Sequence, residues 1–149
     1  MNYRVASVRA LKDLYSSLHV PGAEMRHGFF RASFIGPFWM RISGRPTLDL
    51  TGLPGWQGKR FLTSDTATNV LLRKGEHIDA LNMTVANVTS YVDGSPGVAL
   101  RYGAEAPIPW RWVRDELRAI DDNTLLGITF VDLPVLRHFP MPFLLERAA

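Results

Sequence analysis

The chain has 149 residues, 46% of them hydrophobic, which is the size and apolar content of one ordinary domain able to fold unaided. Zero cysteines exclude disulfides, thiolate metal sites and cysteine nucleophiles, and no run of about 18 apolar residues offers a membrane span or a secretory leader. The net charge is +3, but the basic residues are scattered from Arg4 to Arg147 and form no phosphate-contacting stripe, so the expectation is a single soluble, cytoplasmic domain over residues 1–149 with no nucleic acid partner.

In chain order, residues 4–18 carry Val5, Val8, Leu11, Leu14, Tyr15 and Leu18 at helical spacing, with Arg4, Arg9, Lys12 and Asp13 mostly off that stripe. This predicts an amphipathic helix ended by Pro21-Gly22. A helix of that length needs a partner surface, so it should pack on a sheet or cap one end of a barrel. His27 to Ile35 alternates as a strand, with Phe30, Ala32 and Phe34 on one face, and Gly36-Pro37 breaks it. Phe38-Trp39-Met40 follows as apolar density suited to core or to a cavity wall. Residues 41–52, with Gly44 and Pro46, read as a loop or one helical turn.

Gly52 to Phe61, GLPGWQGKRF, is the densest stretch of the chain: three glycines, a proline and Trp56 within ten residues. Glycines so closely set mark a backbone that turns or is closely approached, and Trp56 between them suits the wall of a pocket or plain core. A strand is predicted at Lys59 to Thr63, and a shorter one at Asn69 to Arg73 before the Lys74-Gly75-Glu76 turn. Leu81 to Val92 alternates as a long strand, and Asp93 to Gly97 is the hairpin loop to Val98–Tyr102. Trp110 to Ile120 fits either a helix face or a strand face. The Asp121-Asp122-Asn123 turn and TLLGITFV after it favour strand. A proline-bearing loop over 133–141 and a short closing strand over 142–147 complete the chain.

Many strands joined by short turns, with one N-terminal helix, point to a mainly β fold: an antiparallel lipocalin-like or calycin-like barrel enclosing a cavity for one small ligand. A cone-shaped α+β barrel is the alternative. At GWQGKRF (55–61), IDDNTLLGI (120–128) and PFLLER (142–147) the sequence resembles the small bacterial GXWXG domain proteins of unknown function, over roughly His27 to Arg147. Gly28-Phe29-Phe30-Arg31-Ala32 stands in place of the name-giving motif, with Phe30 for tryptophan and Ala32 for the second glycine, as in a divergent member. The resemblance implies a calycin-like barrel and no particular reaction.

His19, His27, His77 and His138 stand singly, so no metal site is expected. No phosphate loop, dinucleotide fingerprint or nucleophile elbow is present, and no cofactor is expected. The candidate chemistry lies at Arg111 to Arg118. On a strand, Arg114, Glu116 and Arg118 share a side with Trp112, a carboxylate between guanidinium groups that suits ligand orientation, while Asp115 faces the other way and is the candidate for acid or base use. A solvated face of ion pairs is the plainer reading. The first functional expectation is a barrel binding a small hydrophobic or aromatic molecule through Phe30, Phe34, Trp39, Trp56, Met83, Trp112 and Arg114. The second is a cofactor-free isomerase, cyclase or lyase using Asp115 or Glu116 with Tyr91 or Tyr102. The third is a structural or interaction protein with a filled barrel. A homodimer is left open.

Overall fold

Eight antiparallel strands close into a barrel in strict sequence order, the first pairing with the last, in a computed structural model that describes residues 2–148. The strands are β1 (Gly28–Phe34), β2 (Trp56–Thr63), β3 (Thr66–Arg73), β4 (Glu76–Thr89), β5 (Pro96–Tyr102), β6 (Val113–Asp121), β7 (Thr124–Val131) and β8 (Met141–Arg147). Closure removes the exposed edges that an open sheet would carry. The lipocalin-like or calycin-like barrel expected from the alternation is the fold observed. Among the described residues no helix is long and apolar enough to cross a membrane.

The period of two places one set of side chains inside. Phe30, Trp56, Phe61, Ala67, Leu71, Met83, Leu100, Tyr102, Val113, Leu117, Leu125, Phe143 and Leu145 form one buried cluster within the barrel. A second cluster lies outside the wall, where Leu126, Ile128 and Phe130 of β7 and Leu144 of β8 meet Leu11 and Tyr15 of α1 (Val8–Ser17). Both faces of β7 and β8 are therefore covered. That is why TLLGITFV and PFLLER read as continuous apolar runs rather than alternating ones.

The N-terminal helix is shorter than the expected 4–18. Ser7 caps it through its hydroxyl, which accepts from the Ala10 amide at 3.1 Å, and residues 3–5 before it form a 3-10 turn. The strand-or-helix question at 110–120 resolves as a 3-10 turn at Trp110–Trp112 that leads into β6.

The stretch expected as a loop or one helical turn is instead a second helix, α2 (Phe38–Thr51), so the expectation of a single helix is corrected. Pro46 and Gly44 obscured it, both being poor helix formers. Thr47 and Thr51 turn their hydroxyls back onto the carbonyls of Ser43 and Thr47, at 2.8 and 2.7 Å. Gly52, at φ +103°, ends the helix in the left-handed conformation that a side chain would resist. Three bonds fix α2 to its surroundings. Arg41 donates to the Gly36 carbonyl at 3.0 Å, Arg45 to that of Trp56 at 3.0 Å, and the Trp110 indole to that of Thr51 at 2.7 Å.

Candidate internal binding site

Residues 39, 40, 43, 44, 47, 48 and 51 of α2 form one helical stripe, and this stripe roofs a cavity of about 190 Å³ in the barrel. The stripe mixes small, polar and apolar residues, so it carried no amphipathic signal in the sequence. α2 also leaves Phe38, Ile42 and Leu50 exposed, and Trp39 is exposed as well as lining the cavity.

The walls are mostly apolar: Phe34, Leu53, Trp56, Trp110, Val113, Val131 and Phe143. Lys59, Asn69, Tyr102, Asp115 and Thr129 bring the polar groups. Lys59 on β2 and Asp115 on β6 form an ion pair of 3.0 Å, with side chains 3% and 5% exposed. The other Asp115 oxygen accepts from the Thr129 hydroxyl at 2.7 Å. Asn69 Oδ1 accepts from Lys59 Nζ at 2.9 Å and from the Trp56 indole at 3.1 Å, while its amide nitrogen donates to the Tyr102 hydroxyl at 2.8 Å. Every charged group in the lumen thus has a partner, as buried charge requires.

Burial pushes the Lys59 ammonium down, but the Asp115 carboxylate beside it and the Tyr102 hydroxyl outweigh that, and the net direction is up. Lys59 is accordingly a cation at neutral pH. Tyr102 is also raised, chiefly by burial, with Lys59 opposing and Asp115 adding to the shift. It is a neutral hydroxyl in the same range.

Lys59 reaches the lumen because of an irregularity that simple alternation misses. In a regular strand Trp56 and Lys59 would point to opposite faces. The pairing of β2 with β3 slips between Trp56↔Leu71 and Gly58↔Val70, leaving Gln57 as an extra residue, so Trp56, Lys59 and Phe61 all point inward. The crowded glycines were the available signal. A Cβ on Gly58 would collide with the Phe30 carbonyl of β1, and one on Gly55, at φ +74°, with the Leu72 carbonyl of β3.

Of the residues singled out from the sequence, Phe34, Trp39, Trp56, Tyr102 and Asp115 line this cavity together. Phe30 and Met83 are core residues behind its walls, Phe30 edge-on to Phe61 and the Met83 sulfur 3.5 Å from Lys59 Nζ. Trp112 on the 3-10 turn is not a cavity wall. Arg114, Glu116 and Tyr91 lie outside the lumen, because residues 114, 116 and 118 take the opposite parity to Asp115. Lys59, Asn69 and Thr129 were missed.

The outward face of β6 is nonetheless no solvated surface. Glu116 is fully buried and accepts from Arg114 at 2.7 Å, the Ser90 hydroxyl at 2.5 Å, the Tyr91 amide at 2.9 Å and the Tyr15 hydroxyl at 3.3 Å. Arg118 holds both oxygens of Asp93 at 2.7 and 3.1 Å and stacks over the Tyr15 ring. Arg114 stacks over Tyr91, whose hydroxyl donates to Asp132 at 2.9 Å. This network fastens α1 and the β4–β5 hairpin to the barrel wall. It is walled off from the cavity by the strand itself.

No protein-family model matches the chain, and no curated protein does. A crystal structure of a protein from Thermomonospora curvata is similar, with a TM-score of 0.72 at 18% identity over 97% of this chain and 90% of that one. At that identity the likeness shows the fold: a closed eight-stranded antiparallel barrel of lipocalin-like or calycin-like type, here roofed by α2.

Proposed function

We propose that the protein binds one small hydrophobic or aromatic molecule inside the barrel, beneath α2. The observation that carries this reading is the cavity itself, about 190 Å³ with mostly apolar walls and a charged polar cluster at Lys59, Asp115, Asn69 and Tyr102. An apolar cavity of about 150 Å³ is enough to take up benzene in another protein, so the room here suits one ring or a short branched chain. Kinship with the GXWXG proteins, drawn from GWQGKRF and the two later segments, belongs to the same proposal.

A second reading is cofactor-free acid–base catalysis in the same cavity. It is favoured by one observation: Asp115 and the Tyr102 hydroxyl both line the space a ligand would fill. Both Asp115 oxygens are already engaged, one by Lys59 at 3.0 Å and one by the Thr129 hydroxyl at 2.7 Å, which suits holding a ligand in place better than exchanging a proton with it. Binding is therefore the primary reading.

The test is emission from a variant that keeps Trp56 and carries phenylalanine at Trp39, Trp110 and Trp112, titrated with toluene, with wild-type thermal melts in parallel. Toluene should change Trp56 emission saturably and raise the melting temperature of the wild type. Unchanged emission together with an unchanged melt would sink the proposal.

A further inference from the structure

The hydrogen bonds of the polar cluster fix its unspent donors, and these define a ligand class. The indole of Trp56 and the ammonium of Lys59 can only donate, and both meet the same Asn69 atom, which must therefore be the carbonyl oxygen. The amide nitrogen of Asn69 is then committed to the Leu81 carbonyl at 3.3 Å and the Tyr102 oxygen at 2.8 Å. Tyr102 consequently accepts from Asn69, and its own hydrogen has to go elsewhere. Its other neighbour within hydrogen-bond range is Lys59, again a donor, at 3.5 Å.

Lys59 has three N–H groups. Two serve Asn69 at 2.9 Å and Asp115 at 3.0 Å, while the third has only the Tyr102 oxygen and the Met83 sulfur, both at 3.5 Å. Two donors, the Tyr102 O–H and one Lys59 N–H, are thus left underused in residues that line the cavity. The Asp115 oxygens are each already engaged, one by Lys59 and one by Thr129. The lumen asks for an acceptor.

We infer that the ligand is an uncharged carbonyl compound, a ketone or aldehyde on one ring or a short branched chain, whose oxygen takes both donors with its two lone pairs. This rests on the binding reading above. Lys59 and Asp115 already balance one another, so a carboxylate ligand would bring an unpaired third charge against mostly apolar walls. A carbonyl brings none.

The experiment compares cyclohexanone with methylenecyclohexane, which keeps the shape but replaces oxygen by CH₂, and with cyclohexanecarboxylate, on the full chain by calorimetry. The carbonyl of cyclohexanone labelled with carbon-13 is followed by NMR. The expected result is a bound carbonyl resonance moved downfield, as for a carbonyl accepting strong hydrogen bonds, and roughly tenfold weaker ketone binding in Tyr102→Phe with methylenecyclohexane unaffected. If ketone and hydrocarbon both bind, but the carbonyl resonance does not move and Tyr102→Phe treats them alike, the inference is overturned while the binding reading stands. Tighter binding of the carboxylate overturns it equally. If neither neutral compound binds, both readings fall. Should Tyr102→Phe fail to fold, the carbonyl shift in the wild-type protein decides alone.

Discussion

Lys59 and Asp115 reach each other across the lumen from β2 and β6, strands that stand opposite in the eight-strand order, with three strands between them on either side. At 3.0 Å, with both side chains almost wholly buried, the pair ties the two halves of the barrel at the point where a ligand would rest. Removing one partner strands the other charge in an apolar setting. Lys59→Met and Asp115→Leu should each cost about 3–5 kcal/mol in denaturant unfolding, and the double variant should recover most of that loss, since well-packed apolar replacements of a buried pair are often neutral. Losses that simply add would show that the two charges are not coupled.

Asp115 and Glu116 are adjacent in sequence and on opposite sides of the wall, so their isosteric amides should separate binding from stability. Asp115→Asn should disturb the uptake of a cavity ligand and stability together. Glu116→Gln should leave binding unchanged and cost about 3–5 kcal/mol, because Arg114 loses its buried counter-ion. Calorimetric titration and urea melts of both variants read this out. A Glu116→Gln protein with altered ligand affinity would contradict the separation of the two faces.

Gly55 and Gly58 stand where neighbouring strands press on the backbone, and alanine at either should cost about 1–3 kcal/mol. Gly103, where an added Cβ would meet nothing within 4 Å, is the control and should be near neutral. If all three alanine variants melt together, the crowding at the β2 bulge is not what holds Trp56 and Lys59 inward.

Stability should fall at both ends of the pH scale for identifiable reasons. Hydrogen bonds from Arg118 hold the Asp93 carboxyl well below its usual range. Its contribution is present above the unfolded value of about 3.9 and is lost as pH falls below that. At the other end, burial first and the Glu116 charge second push the Tyr15 hydroxyl up. Lys59 and Tyr102 are raised too, so the stability linked to these three groups is complete below about pH 10 and declines as pH rises beyond it. Asp93→Asn should flatten the acid limb and Tyr15→Phe the alkaline limb of a chemical-denaturation profile measured against pH. Unchanged slopes would disconnect these residues from the pH response.

The strands were legible because their signals are local. TLLGITFV after the Asp121-Asp122-Asn123 turn became β7 over the residues expected, and the hairpin between β4 and β5 exists as expected, although its loop is residues 90–95 rather than Asp93 to Gly97, because Pro96 and Gly97 already pair with Thr89 and Val88. Alternation likewise set Asp115 and Glu116 on opposite faces once residues 113–121 were strand. Which of those faces looked into the cavity was not local information. It depended on barrel closure, and on α1 and the β4–β5 hairpin covering the outside so fully that Arg114, Glu116 and Arg118 are as buried as the inward residues. The second helix was hidden by Pro46 and Gly44 and is held by Arg45 on the Trp56 carbonyl of β2 and by the Trp110 indole on the Thr51 carbonyl, 59 residues apart in the chain. Lys59 was lost to a single extra residue, Gln57, since that bulge reverses the parity between Trp56 and the residues Gly58 to Phe61. The sequence by itself determined a β-barrel and most of its turns. Only the tertiary structure decided what lies inside it, because pairing partners and bulges, rather than local preference, choose which side of a strand is in.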